Sequence, residues 1–536
     1  MTRILILICM TFLLLTACNS NSDEDKIGDV CDPCPNDSDH NYELSMLLRK
    51  PVPEYSENSR YFVLADSGTG TQAKSVFLTG SHTWDSLVQV GDDEILLLAT
   101  DDSIRNQEYN GWDGYLEFLE GYNHNFIRLW TWEPTLINGT YATDILPWDE
   151  NAGIFDLEDF DEANNGYFDR LRDIVDAAKN KGIYVSIMLF EGYGMQYHNG
   201  TWTNHPFNPD NNINMLPQEL GEFDIYTLKY SKVTDLQKMY IDKLMEYVNN
   251  YDNILYEIGN ELVSDYKAPG TTAWQYELIR YIQSKDPHGH PVGMTFQNGK
   301  IWPHGNDYQT GKNTILYDTN NPADWISPGE IWSHVPPEPG SSEPYPTYYM
   351  GNPPLLGSEG KIVILDSDHT IGVCNSTEDN CDHLTSFQYI WRSFLRGYNP
   401  IWMDAYGGHS FERYVYDVPW KRQRDEMARL SMGMARTYAN EMDLNMVSYD
   451  DGNKTLATTG YCMANPGANY VVFTENASSA FQIKNFTPGY YIYEWFNPRT
   501  YEIIEGVDQF STGWFTAPSD SFSGKHSAVL YLKKLL

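Results

Sequence analysis

The stretch "NILYEIGNEL", Asn253 to Leu262, decides the fold. Its apolar run reads as a buried strand, and it stops abruptly at Gly-Asn-Glu. Similar strand-like runs lie at 75–84, 125–133, 183–192, 291–299, 323–329, 361–369 and 399–408, with 314–318 as the alternative sixth strand. Amphipathic helices separate them. In "GYFDRLRDIVDAAKNKG" the residues Phe168, Leu171, Ile174, Val175 and Ala178 share one face, and Gly182 is a stop signal. "TDLQKMYIDKLMEYVNN" repeats the period with Leu236, Tyr240, Leu244 and Val248; "TSFQYIWRSFLRG" and "RDEMARLSMGMARTYA" supply two more helices. Eight apolar strands alternating with helices predict an α/β fold, a (β/α)8 TIM barrel over residues 50–442. No Gly-rich phosphate turn follows any strand, which argues against an open doubly wound sheet.

From residue 443 to 536 the texture changes to short strands and turns: "TLATTGYCMA", "NYVVFTEN", "AFQIKNF", "GYYIYEWF" and "SAVLYLKKL" predict a small antiparallel β-sandwich. No Pro/Gly/Ser-rich linker precedes it, so the sandwich is expected to pack on the barrel. At the other end, Arg3 and the apolar run Ile4 to Leu15 predict a signal peptide over residues 1–17, and the polar, acidic segment 18–49 reads as a tether.

Composition narrows the function. With 36 Lys+Arg against 74 Asp+Glu the formal charge is −38, which repels phosphate backbones and excludes nucleic acid as a partner. Aromatics reach 14%, including 15 Trp and 39 Tyr, a composition that suits stacking on the C–H faces of sugars as well as core packing. Among the cysteines, Cys374 and Cys381 are expected to form a disulfide closing "CNSTEDNC", Cys31 and Cys34 a local bridge in the tether, and Cys462 a buried thiol. Neither H-E-x-x-H nor a G-x-S-x-G elbow occurs. "DFDEANNGYFDR" (159–170) fails as a calcium loop, with Asn at the glycine position and Arg170 at the terminal Glu position. No metal and no organic cofactor is indicated.

The C-terminal ends of barrel strands line the active-site mouth. Asn260 and Glu261 end the fourth strand, where a carboxylate has no packing role; a structural salt bridge to a loop arginine is the alternative. Arg128, in "FIRLWTW" on the second strand, has Trp130 and Trp132 beside it. The seventh strand, "KIVILDSDH", ends in Asp366 and Asp368, which strand alternation puts on one face, followed by His369 as a candidate hydrogen-bond partner. Carboxylates at the ends of two strands of one mouth suit acid/base chemistry.

These residues resemble a known pattern. Asn-Glu after the fourth strand is similar to the clan A glycoside hydrolases, in which the Glu is the general acid/base, the Asn binds the sugar 2-hydroxyl, and a strand-two Arg lies near the nucleophile. The resemblance implies those roles for Glu261, Asn260 and Arg128. The clan carries Glu at the end of strand seven, whereas this chain has Asp366 and Asp368; either could be the second carboxylate, and Asp is a methylene shorter, so the stereochemical outcome stays open. Over nearly the whole mature chain, "FLTGSHTWDSL", "HPFNPDNN" (205–212) and "DSDH" resemble barrel hydrolases of Bacteroidetes of the apiosidase type. These carry a small C-terminal domain whose family name refers to collagen binding, and "CMANPGANYVVF" with "YEWFNPRT" matches it. This resemblance implies His82, Trp84, Glu191, His205, Asn208 and Trp402 as substrate contacts; Trp132, beside Arg128, and His369, after the strand-seven carboxylates, are further candidate contacts. "LTAC" resembles the bacterial lipobox, implying lipidation at Cys18 and an outer-membrane protein that meets the membrane only through its lipid; the acidic "NSDEDK" that follows resembles the surface-export signal of Bacteroidetes lipoproteins, implying surface exposure, with the periplasmic face as the alternative. The expected function is a lipid-anchored glycoside hydrolase acting on plant or algal polysaccharides or their oligosaccharides. The alternative is a non-catalytic, surface glycan-binding lipoprotein.

Overall fold

The computed structural model describes residues 46–50, 60–64, 74–82, 95–96, 109–133, 136–137, 140–141, 146–151, 153–162, 166–198, 200–265, 267–295, 306–307, 312–313, 318–327, 361–366, 385–403, 419–450, 454–518 and 527–535. The expectations for the signal peptide, the tether, Cys18, Cys31, Cys34, Trp84, Asp368, His369, Cys374, Cys381 and a strand at 314–318 lie wholly or largely outside these residues.

Eight strands run parallel: β1 (Gly80–His82), β2 (Phe126–Leu129), β3 (Tyr184–Glu191), β4 (Ile254–Asn260), β5 (Val292–Thr295), β6 (Trp325–Ser327), β7 (Ile362–Leu365) and β8 (Asn399–Met403). From β2 to β8 each strand pairs with the next in sequence, and β8 returns to β1. The sixth strand is therefore the 323–329 candidate. Between β1 and β2 the seam is made by Asn125: its backbone N–H donates to Thr79 O at 3.0 Å, and its side-chain oxygen accepts from Thr79 N at 3.0 Å. A Cβ on Gly80 would strike the Phe126 carbonyl, so only glycine lets β1 approach this closely. The result is a nearly closed (β/α)8 barrel.

Helices α1 (Gly111–Gly121), α2 (Tyr167–Asn180), α3 (Ser231–Val248), α4 (Thr271–Lys285), α5 (Thr385–Phe394) and α6 (Pro419–Glu441) form the outer layer. The apolar faces of α2 and α3 are buried. Helix α2 ends where Gly182 turns left-handed at φ +67°, with Ile183 N–H on Ala178 O and Gly182 N–H on Lys179 O, both at 2.9 Å.

Strand alternation sorts the core. Leu78, Phe126, Tyr184, Leu255, Ile362 and Ile401 point into the lumen near the strand starts. Leu48 and Phe62 join that cluster from a small three-stranded sheet (48–49, 62–64, 75–76), which therefore plugs this end of the barrel. Two positions further along β2, β3 and β4 the inward residues are polar: Arg128, Ser186 and Glu257. Above them sit Trp130, Met188 and Met403.

Beyond α6 the chain forms β9 (Ser448–Tyr449), β10 (Cys462–Asn465), β11 (Asn469–Thr474), β12 (Gly489–Phe496), β13 (Ile503–Phe510) and β14 (Ala528–Lys534). They make one antiparallel sheet in the order β9-β10-β11-β14-β12-β13, accompanied by a two-stranded ladder of 481–482 with 514–515. Strand β13 was not expected from the sequence, because Gly506 and two acidic residues, Glu505 and Asp508, break its apolar pattern; it is a largely solvent-exposed edge. Cys462 is a buried free thiol whose ionisation burial pushes up. One face of the sheet shares a core with the barrel helices: Phe387, Trp391 and Phe394 of α5 and Tyr438 of α6 pack with Val471, Phe473, Phe496 and Tyr531. The Tyr438 and Tyr531 rings stack at 4.7 Å.

Candidate active site

The mouth is built around one guanidinium. Arg128 of β2 donates through Nε to Glu257 Oε2 at 3.0 Å and through Nη2 to Glu257 Oε1 and, at 3.0 Å, to Asn260 Oδ1. Its Nη1 pairs with Asp366, the residue that follows β7. Asp366 takes a second partner in His82, whose Nε2 lies 3.1 Å away. The His82 ring stacks on Trp130 with centroids 5.3 Å apart, and Trp130 also lies under Arg128 at 5.0 Å. The strand-seven carboxylate is thus fixed in direction by a fork and a ring, each immobilised by packing.

The exit of β4 is equally constrained. Gly192, following β3, donates its N–H to Asn260 O at 2.8 Å, and Gln196 Nε2 donates to Glu261 O at 2.6 Å. A Cβ on Gly192 would lie 2.5 Å from Glu261 O, so glycine is required for the two chains to meet. Glu261 itself has φ +44°, in the left-handed region that a non-glycine residue enters at a cost of about 1–3 kcal/mol. Such strain persists only where its surroundings impose it, here the two stitches from the β3 exit. Glu261 is half-buried, and its negative charge, after burial, pushes the Tyr197 phenol up.

Behind the mouth lies a second buried network. Glu191, the last residue of β3, accepts backbone N–H bonds from Tyr193 at 2.6 Å and Gly194 at 3.1 Å, and hydrogen-bonds the Asn260 side chain. With its oxygen toward Arg128, the Asn260 amide presents its NH2 to Glu191. Burial outweighs these bonds and pushes the Glu191 carboxyl up to about 8, with the nearby Glu133 charge adding to the rise. Glu133 accepts from Glu191 N at 2.5 Å, and its Oε1 lies 3.1 Å from His205 Nε2 and 2.7 Å from the Tyr226 hydroxyl. His205 Nδ1 accepts from Phe207 N at 3.2 Å, so the ring hydrogen sits on Nε2 and points at Glu133.

The structure therefore brings His82, Arg128, Asn260 and Asp366 into one contact network, with Glu191 joined through Asn260. Four other expected substrate contacts sit elsewhere. Trp402 points outward from β8, since Ile401 and Met403 take the inward positions; it is fully enclosed, and its indole N–H donates to Asp425 of α6 at 3.1 Å. Trp132 is enclosed among Trp148, His205 and Tyr240. His205 lies in the buried network behind the mouth. Asn208 caps the turn Pro209–Asn211, accepting from Asp210 N at 3.0 Å and donating to Trp202 O at 2.8 Å. The "HPFNPDNN" loop is thus stitched to itself and its neighbours, with Asn211 and Asn212 adding four more bonds to backbone carbonyls. The sequence reading missed Glu257, Glu133 and Tyr226. A charged Glu257 in the middle of an otherwise apolar strand was the available signal for the first; the contact between Glu133 and Tyr226 spans 93 residues and left none.

Among the described residues no group of three or more His, Cys, Asp or Glu could hold a metal ion, and no helix is long and apolar enough to cross a membrane.

No protein-family model and no curated protein matches the sequence. Solved structures do match in fold. One is a glycoside hydrolase family 5 protein from Bacteroides vulgatus, 14% identical, covering 90% of this chain and 92% of that chain with a TM-score of 0.52. Another is described as a glycoside hydrolase, 15% identical, covering 89% of this chain and 96% of that chain at 0.51. The likeness establishes the fold.

Proposed function

We propose that this chain is a glycoside hydrolase with Glu261 as proton donor and Asp366 as the opposing carboxylate. The observation that carries the reading is the bridge made by Arg128, which ties Asp366 at the end of β7 to Asn260, the residue before Glu261 at the end of β4. Two acidic strand ends thereby face one mouth in fixed register. The fold likeness to glycoside hydrolases supports the same reading by analogy.

In this mechanism a protonated Glu261 donates its hydrogen to the glycosidic oxygen as the C1–O bond breaks. Asp366 supplies the electron pair on the other side, by attacking C1 itself or by deprotonating the water that does. Asn260 offers an amide N–H to a sugar hydroxyl beside the scissile bond. His82 and Arg128 keep Asp366 aimed. The substrate class is a plant or algal polysaccharide or its oligosaccharides, met at the outer membrane by a mature protein anchored through lipid on Cys18; the aromatic, acidic composition and the N-terminal motif support these points.

Screening the intact protein against plant and algal glycans, with product analysis, tests the activity. Glu261→Gln should lower turnover by about 10²–10⁴-fold, the usual worth of general acid catalysis. An activated aryl glycoside, which needs little protonation, should suffer less from that change, whereas Asp366→Asn should damage both substrate kinds. Near-normal turnover of a natural glycan by Glu261→Gln would reject the assignment and favour a glycan-binding protein.

A further inference from the structure

We propose that Tyr193 and Tyr197 form a stacking platform for a sugar ring on the leaving-group side of the scissile bond. The inference rests on the glycosidase reading of the mouth and adds a binding subsite to it.

The two tyrosines occupy positions i and i+4 of the short helix Tyr193–Tyr197, so they share one face. They are 44% and 39% exposed, while Gly194 and Met195 between them are buried. Their ring centroids lie 5.0 Å apart at 42°, and His198 flanks Tyr193 at 5.3 Å. Large aromatic rings held at the surface side by side offer flat apolar faces, which suit the C–H face of a pyranose or furanose ring and leave its hydroxyls in water.

Placement relates this surface to the chemistry. The helix begins two residues after β3, and its first amides are capped by the Glu191 carboxyl oxygens. Between the tyrosines, Gln196 reaches the backbone oxygen of Glu261. Tyr197 feels the charge of Glu261 itself, so the platform adjoins the proton donor. Asp366 is held by other partners, His82 and Arg128. A proton donor acts on the oxygen that departs with the leaving sugar, whereas the opposing carboxylate acts at C1. A ring surface beside the donor is therefore placed for the departing residue. The helix is rigidly fixed by its cap and by the Gln196 bond, so the platform is preformed and needs little ordering on binding.

The test uses the intact chain, the glycan panel above, and the variants Tyr193→Ala, Tyr197→Ala, the double variant, and Tyr→Phe at both positions. Both side chains are exposed, so unchanged thermal unfolding is expected and checks folding. Affinity electrophoresis in gels containing each polysaccharide reads binding independently of turnover. Retardation should weaken, and KM on a cleaved oligosaccharide should rise, by about tenfold in the double Ala variant, the size expected for losing well-packed aromatic contacts. The Phe variants, which keep the ring faces, should restore most of it. Cleavage with KM and retardation unchanged in the double Ala variant overturns the platform and leaves the glycosidase reading standing. Retardation that is lost with the tyrosines in a protein that cleaves nothing keeps a sugar platform but overturns its leaving-group role and the catalytic reading. Neither retardation nor cleavage with any glycan overturns both.

Discussion

The buried pair of Arg128 and Glu257 gives the sharpest stability prediction. Their side chains are 1% and 0% exposed, and Arg128 faces Glu257 with two of its nitrogens. Removing one partner of a buried ion pair leaves an uncompensated charge and costs about 3–5 kcal/mol. Glu257→Gln keeps the shape and one acceptor, and Asp366 still faces Arg128, so the expected loss sits near the lower bound, about 3 kcal/mol. That is a large share of the roughly 5–15 kcal/mol that stabilises a folded domain. Urea unfolding followed by tryptophan fluorescence should show a lower midpoint at unchanged slope. Replacing both groups by apolar ones, Arg128→Met with Glu257→Leu, removes both buried charges, so the double variant should lose less than the summed single losses. The cycle should show a coupling of about 2 kcal/mol, within the range for residues in contact. A wild-type midpoint in Glu257→Gln, or strict additivity in the cycle, would refute the view that these charges compensate each other.

Glu191, raised from 4.5 to about 8 by burial, binds its proton more tightly folded than unfolded, so stability should fall as pH rises from about 5 to 8 and level off above. Glu191→Gln should flatten that slope, measured as urea midpoint against pH; an unchanged slope would assign it to other groups. Cys18→Ala should move the protein from membrane to soluble fractions, and unchanged membrane association would remove the lipid anchor from the proposal. Truncation after residue 443 would expose Phe387, Trp391, Phe394 and Tyr438, each worth about 1.5–3 kcal/mol when buried. The shortened chain should aggregate or melt well below the intact protein, and a soluble barrel with unchanged melting would contradict a shared core.

Much of the barrel was legible because its strands are continuous apolar runs and its helices carry a clear 3.6-residue period. Asn260 and Asp366 were legible for a related reason: polar groups ending apolar strands have nowhere to go except the mouth; Arg128, inside its strand, was singled out by resemblance to a family. Trp402 was placed by resemblance to a family, yet its parity against Ile401 and Met403 already pointed it outward. Glu257 was absorbed into the apolar run around it. Glu133 and Tyr226 depend on chain segments far apart in sequence, and β13 hides behind a glycine and acidic residues that weaken the strand pattern. Local period is readable from one sequence; contacts closed by tertiary folding are not.

The aromatic seam between α5, α6 and the terminal sheet bears on how such proteins can be recombined. A module joined by a linker can be exchanged between enzymes because it brings its own solvent-facing surface. This sheet has no such surface on the side where Phe473, Phe496 and Tyr531 meet Trp391 and Tyr438. Any chimera that borrows the sheet must also inherit the matching faces of the last two barrel helices. The heritable unit is the barrel and the sheet together, and variation in one half of the seam is constrained by the other.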